Sequence, residues 1–421
     1  MTVIALVGAR RRVPLAAGAC LLSFTAFWLA QRAADVSMID LMVYRAEGET
    51  VRAGGDLYAL RTTEAHLPTT YPPFAALLFT PLTLLDTADI RTLATLGNLL
   101  LLVAFAYLAL RLVGPAPHPG HARVERAACL QSALWVSALA VWAEPVWTTL
   151  RYGQVNLLLA VLVLWDLTRR PGHRWAGLGI GVAAAIKLTP ALFAVFLLLT
   201  GVAEAARRGP WRTPVRHACV AAVSFSGATL LAAAVLPYDS RRFWTRMVFE
   251  AGRVGLPEDT ANQSLRGVLA RLLHTAEPGL WWVVAGAATG ALGLAVAVRA
   301  ALRGERARAV VSCAATALLV SPVSWSHHWV WCVPMALLVW TEAGHRAGRA
   351  RWTATGAVAL VFCSYALWWV PHGVGRLELD QNFGEMTLSA LYAGTAFALL
   401  ARGIGRRITP WITPWRRSRS A

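Results

Sequence analysis

The chain has 421 residues, of which 57% are apolar and 15% charged, against roughly 45–50% and about 25% in soluble domains. That balance excludes a soluble globular protein and identifies an integral membrane protein. The formal net charge of +18 would point to nucleic acid in a soluble chain; here the distribution of the charge carries the information, and nucleic acid is not an expected partner.

The start, MTVIALVGARRR followed by the apolar run Val13 to Ala30, has the outline of a secretory signal but no small-residue cleavage site after it. It is read as the first span. Ser37 to Tyr58 follows as a polar stretch between two apolar ones, with Arg45, Glu47, Glu49 and Arg52 at helical spacing and Leu41, Tyr44 and Val51 on another face. This predicts an amphipathic helix on the membrane surface, stopped by Gly54 and Gly55. Its first carboxylate, Asp40, lies about ten residues beyond the span, at the water–lipid boundary. Two readings stand open there: Asp40 caps the helix, or it acts as a base on a lipid-linked substrate.

Tyr71-Pro72-Pro73 opens an apolar run to Leu85 that is too short to cross and is read as re-entrant; Arg91 to Val113 is a full span. Further spans are expected at 127–143, 155–168, 217–236, 279–301, 352–370 and 386–402. The stretches 175–201 and 309–340 are too long for one crossing and are broken at Lys187–Pro190 and at Ser321–His328. They predict hairpins of shorter helices. The expected fold is therefore an all-α polytopic membrane protein of about twelve full or partial crossings in a single domain, 1–421, with amphipathic helices in its outer loops.

Seven segments, 1–12, 111–126, 169–174, 203–216, 299–308, 341–351 and 402–421, hold 26 of the 39 arginines and alternate with the spans. They are read as cytoplasmic, which places both termini and the basic tail 403–421 inside. The opposite face carries 17 of the 22 acidic residues and the two long loops, 31–73 and 237–278. The chemistry is thus expected outside the cytoplasm. The six cysteines all lie in apolar segments without a C-x-x-C pair, so they read as small core residues rather than a disulfide framework or zinc site.

Four constellations lie on that outer side or just inside the membrane from it. Lys187, the only lysine, stands in AAAIKLTPALF; a charge at that depth costs about 2.5–3.5 kcal/mol on insertion scales, so a phosphate partner is weighed against snorkelling to the interface. In LLVSPVSWSHHWVW, His327 and His328 sit at a turn beside Trp325, where histidines can donate to a phosphate or accept a proton. A metal is the weakest of their options, because neighbouring histidines diverge on a helix and no carboxylate is close in sequence. In EPVWTTLRYGQVN, Arg151, Gln154 and Asn156 enter the next span, either toward substrate or only toward a neighbouring helix. In loop 237–278, Arg241, Arg242 and Arg246 interleave with Phe243 and Trp244 ahead of Asn262-Gln263-Ser264 and Arg266, a pattern for headgroups or an anionic lipid.

The set D-L-x-V-Y at Asp40–Tyr44, G-x-x-L-Y at Gly54–Tyr58, Y-P-P at Tyr71, G-Q-x-N at Gly153–Asn156, K-x-x-P at Lys187, N-Q-S at Asn262 and S-P-x-S-W-x-H-H at Ser321 resembles glycosyltransferase family 87 of the GT-C superfamily. The resemblance rests on their order and spacing over nearly the whole chain. It implies a GT-C fold and inverting α-1,2 transfer of mannose from polyprenyl-phosphate-mannose to a lipid-linked mannoside or lipoglycan, with arabinofuranose transfer as the alternative donor chemistry. It further implies Asp40 as catalytic base and a donor phosphate site lined by Lys187 with His327 or His328. Charge developing on the leaving phosphate calls for further cations, one or more of Arg151, Arg241 and Arg266, and substrate contacts are expected from Tyr44, Tyr58, Tyr71, Gln154, Asn156, Gln263 and Trp325. No cofactor or metal is expected: there is no D-x-D motif, and Asp86 and Asp89 are one residue too far apart. A transporter or flippase would also use broken helices and an intramembrane lysine, but it predicts inverted repeats, and none is evident.

Overall fold

The computed structural model describes residues 3–114, 122–170, 172–343 and 348–404. The basic tail beyond Ile404 lies outside the described residues. In chain order the helices are α1 (Val3–Ala33), α2 (Ile39–Ala53), α3 (Pro73–Phe79), α4 (Thr87–Val113), α5 (Ala122–Ala140) and α6 (Glu144–Tyr152). Then come α7 (Asn156–Leu167), α8 (Leu178–Ile186), α9 (Ala191–Ala206), α10 (Arg212–Val235), α11 (Pro237–Thr245) and α12 (Leu265–Leu272). The last are α13 (Gly279–Leu302), α14 (Arg306–Val320), α15 (Cys332–Ala343), α16 (Gly348–Cys363), α17 (Phe383–Ser389) and α18 (Leu391–Ile404). Among the described residues the only sheet is a two-residue antiparallel ribbon, Arg61–Thr62 with Leu67–Pro68, which the sequence did not announce.

Among the described residues four helices are long and apolar enough to cross a membrane: Val13–Ala33, Thr87–Val113, Arg212–Val235 and Gly279–Leu302. Two bent pairs, α5 with α6 at 80° and α17 with α18 at 70°, raise the number to six if each is one span. Large apolar side chains stand exposed along these helices, including Leu21, Leu22 and Leu29 of α1, Val223 and Leu230 of α10 and Leu280 and Trp281 of α13. Such a surface is stable only against lipid. The chain is an all-α membrane protein.

Both broken stretches are where the sequence put them. The segment 175–201 divides into α8 and α9 across Lys187–Pro190, and 309–340 into α14 and α15 across Ser321–Trp325 and a 3-10 turn, Ser326–Trp331. Proline fits the first break, since Pro190 donates no N–H and disfavours helical backbone at the residue before it. Other boundaries moved. The span expected over 127–143 bends sharply before α6, whose Pro145 suits a first helical turn. The one expected over 352–370 stops at Cys363, where Tyr365 takes a left-handed φ of 56° into a short 3-10 turn. Cys219 and Cys363 face outward from their helices rather than into the core.

The core runs between α4, α7, α9, α14 and α15, with Trp331 stacked on Phe193 at 5.4 Å and edge-on to Phe105 at 6.1 Å. Those rings pack directly beneath the two breaks. The surface helix α2 forms and ends as expected, with Gly54 as a left-handed cap at φ 66°. Its buried face was misjudged: Glu47, read as solvent-facing, is 0% exposed. Asp40, Tyr44 and Glu47 recur at helical spacing on one side, and that side turns inward because α3 and the 3-10 turn Thr80–Leu84 pack on α2. Gly48 permits the approach, since a Cβ there would come within 2.7 Å of the Phe79 carbonyl oxygen. Burial pushes the Glu47 carboxyl up to about 8, against the opposing pull of the Thr69 hydroxyl and the Arg253 guanidinium, so it is protonated at neutral pH.

Candidate active site

The inner face of α2, the two breaks and the turn after α6 enclose a cavity of about 780 Å³. Asp40, Tyr44, Tyr71, Gln154, Lys187, Trp325, His327 and His328 all line it. Residues spread over nearly three hundred positions of sequence therefore meet in one chamber.

Asp40 is not a helix cap. The N-cap position belongs to Met38, at φ 51° and without a side-chain cap bond, and Asp40 follows within the first turn. Its Oδ2 instead accepts a 2.7 Å hydrogen bond from Gln154 Nε2. Burial raises the Asp40 carboxyl to about 6, while the Gln154 bond and the Lys187 charge pull it down. A group poised there is ionised at neutral pH yet basic enough to take a proton.

In the same cavity, the break between α8 and α9 leaves Lys187 on extended backbone, φ −148° and ψ 126°. Its Nζ lies 2.7 Å from His328 Nε2 and 3.2 Å from Asn156 Oδ1, and 5.5 Å from the Tyr71 ring centroid. A charged ammonium has three donors. Two are used by these partners when His328 accepts at Nε2, which leaves the third for a ligand. The structure separates the two histidines: His328 is joined to Lys187, while His327 Nε2 has no partner among the described residues and its ring lies edge-on to Tyr152 at 5.5 Å.

The turn carrying the histidines is fixed from below. The His327 carbonyl accepts from Thr149 Oγ1 at 2.7 Å and Asn156 Nδ2 at 3.1 Å. Glu144, wholly buried, accepts from Ser326 Oγ, Thr148 Oγ1, Trp368 Nε1 and Tyr392 OH at 2.8–3.2 Å. Four donors satisfy a buried carboxylate and tie α6, the histidine turn, the 3-10 turn after α16 and α18 together.

Several residues expected to touch substrate do other work. Asn156 lies below the cavity, with one amide end on the His327 carbonyl and the other on Lys187. Tyr58 sits behind Tyr71, donating to its carbonyl at 3.0 Å. Gln263 is 0% exposed and donates to the Thr260 and Ser389 carbonyls at 2.8 and 2.6 Å. Its backbone N–H reaches the Ser324 carbonyl, and Asn262 Oδ1 accepts from Ser324 N at 3.0 Å. The N-Q-S stretch thus clips the Ser321–Trp325 segment in place. The arginines differ too. Arg151 is exposed at the end of α6, Arg266 lies over the Trp282 ring at 5.3 Å, and Arg242 pairs with Asp56; neither Arg151 nor Arg266 lines the cavity. The arginine that does is Arg253, whose Nη2 and Nε donate to the Thr70 and Met247 carbonyls at 3.1 and 2.9 Å. Nothing in EAGRVG distinguished it from its neighbours, since its partners are backbone atoms nearly two hundred residues away or in the adjoining turn.

The model of glycosyltransferase family 87 matches residues 70–322, more than half of the chain and a range that holds both Gln154 and Lys187. The chain belongs to glycosyltransferase family 87. As a family 87 protein it is a membrane glycosyltransferase. It is 35% identical over 315 residues, 73% of this chain and 67% of the relative, to a polyprenol-phosphate-mannose-dependent alpha-(1-2)-phosphatidylinositol pentamannoside mannosyltransferase of Mycobacterium tuberculosis. It is also similar to two polyprenol-phosphate-mannose-dependent alpha-(1-2)-phosphatidylinositol mannoside mannosyltransferases. The one from Mycolicibacterium smegmatis is 35% identical over 86% of this chain and 82% of the relative; the one from M. tuberculosis is 32% identical over 79% of each. No solved structure matches the chain.

Within this family 87 site, Gly153 sets the spacing between α6 and α2. It holds φ +69°, and a Cβ there would lie 2.7 Å from Leu41 Cβ. Gly153→Ala is expected to lose roughly 1–3 kcal/mol of stability through backbone strain alone. The check is a thermal melt of the purified protein in detergent, where a clear fall in Tm is expected.

Proposed function

We propose that this glycosyltransferase moves mannose from polyprenyl-phosphate-mannose to a phosphatidylinositol mannoside or related mannolipid, forming an α-1,2 linkage with inversion. The observation that carries this reading is a single cavity with an Asp40 carboxylate on one wall and the Lys187–His328 pair on another. Asp40 takes the proton from the acceptor hydroxyl as its oxygen attacks the anomeric carbon. The phosphate leaves on the opposite face, and Lys187 with its free donor stabilises the charge that develops there. His328 holds the ammonium in place and hydrogen-bonds to the phosphate, and Trp325 contributes an apolar ring to the sugar chamber. The names of the three relatives support mannose as the sugar and a phosphatidylinositol mannoside as the acceptor.

The same reading extends to the architecture. A GT-C arrangement of about twelve full or partial crossings fits the two broken hairpins, with one membrane domain, outer loops 31–73 and 237–278 and a basic tail from 403. The arginine alternation supports cytoplasmic termini and a site on the other side of the membrane, where nucleotide sugars are absent and a lipid-borne donor is required.

The test is transfer of radiolabelled sugar by purified protein to a mannolipid acceptor. Label is expected from polyprenyl-phosphate-mannose and as an α-1,2 linkage in the product. Label only from polyprenyl-phosphate-arabinose would overturn the donor, and no transfer from either would reopen the transporter reading.

A further inference from the structure

Three of the residues expected to touch substrate make a closed set of hydrogen bonds around the base. Gln154 is 5% exposed. Its Oε1 accepts from Tyr44 OH at 2.7 Å and from Tyr71 OH at 3.0 Å, the two phenols lie 2.8 Å apart, and its Nε2 donates to Asp40 Oδ2 at 2.7 Å. An amide is nearly symmetric in shape, so what decides its orientation is the chemistry at each end. Turned over, it would set its carbonyl oxygen against an ionised carboxylate, with no proton between them. In the observed orientation the NH₂ end donates to Asp40 and the carbonyl end accepts from the phenols, whose two protons are shared over the three contacts among Tyr44, Tyr71 and Gln154. The phenols hold the carbonyl end, and the NH₂ end lies on the Asp40 carboxylate, the one neighbour that, when ionised, can only accept.

We infer that Gln154, locked by Tyr44 and Tyr71, is a positioning residue that aims Asp40 and keeps it ionised for proton abstraction. The bond occupies Oδ2, and Oδ1 accepts from no described residue, so one oxygen is anchored and the other is left for the acceptor hydroxyl. This inference rests on the reading of Asp40 as the base. The other groups that face Asp40 act alongside Gln154: Lys187 from the α8–α9 break pulls its proton affinity down, while Glu47 two turns along α2 and Tyr152 at the end of α6 feel its charge. His327 and His328 line the same chamber, where His328 is bonded to Lys187. Of these, Gln154 is the only one that hydrogen-bonds to the carboxylate among the described residues.

The experiment is the pH profile of kcat, with donor and acceptor KM, for wild type, Gln154→Ala, Gln154→Glu, the double variant Tyr44→Phe/Tyr71→Phe, and Asp40→Asn. In Gln154→Ala the acid limb is expected to move up by roughly one pH unit or more, because a hydrogen bond to the charged form is lost. Its plateau kcat should fall about tenfold, with donor KM within about twofold. Gln154→Glu, which sets a second carboxylate beside the first, should move the limb further in the same direction. The double phenylalanine variant frees the amide and should shift the limb upward by less; it decides the matter if Gln154→Ala does not fold. An unmoved limb in these variants, with Asp40→Asn inactive, overturns the positioning role and leaves the base standing. An Asp40→Asn protein as active as wild type removes the base and this inference together.

Discussion

Asp40→Asn is expected to lower kcat by a factor of about 10² to 10⁴, the range that a positioned general base contributes. The substitution keeps the shape of the side chain and the helix position, so α2 should still pack through Tyr44, Glu47 and Gly48. What it removes is the ability to accept a proton. Donor KM should change little, because the proposed function gives the donor phosphate to Lys187 and not to Asp40. The sign of the pH dependence follows from the direction of the shift. Burial raises the Asp40 carboxyl to about 6, and the base is competent only when ionised. Wild-type kcat should therefore rise through about pH 6 and level off above it, and the residual activity of Asp40→Asn should lack that limb. The measurement is initial-rate transfer between pH 5 and 8 on both proteins. Retention of the limb in the asparagine variant would assign it to another group, such as Glu47 on the same face of α2, raised to about 8.

The balance between what the sequence disclosed and what it hid follows from the range of each interaction. Breaks were legible because proline and polar residues interrupting an apolar run are local facts: Lys187–Pro190 and Ser321–His328 both fell where expected. Asp40, Lys187 and the histidines stood out because ionisable groups are rare near a membrane. The inward face of α2 was not legible. Glu47 carries the charge pattern of a solvated position, and only the packing of α3 and the turn after it puts Glu47 inside. The roles within each motif were hidden for the same reason. Asn156 and Gln263 are spaced as the resembling family spaces them, but they satisfy backbone carbonyls at His327, Thr260 and Ser389 rather than face the chamber. A motif marks residues that a site needs, and holding its walls is one of those needs. Arg253 shows the converse, a cavity residue without a motif, found only once Thr69, Thr70 and Met247 were seen to converge on it.

Lys187→Met is expected to lower kcat by about 10² to 10³, the cost of removing one preorganised group that meets developing charge. The ammonium holds a place that no other cation can take. Among the described residues Arg253 is the other basic side chain of arginine or lysine type lining the chamber, and each of its three nitrogens donates to a carbonyl of the loops it ties together. Removing Lys187 also strands two partners, Asn156 Oδ1 and His328 Nε2, so some loosening of the histidine turn adds to the loss. Two readouts separate these effects. Loss of phosphate stabilisation should fall on kcat and donor KM while acceptor KM stays within about twofold; a collapsed turn would raise both KM values and lower Tm. Lys187→Arg refines the point, because a planar guanidinium restores the charge but cannot occupy the compact space between Asn156 and His328. It should recover only a minor part of the lost rate. Full recovery by arginine would mean that any cation at this depth suffices, and the geometry of the Lys187–His328 pair would lose its part in catalysis.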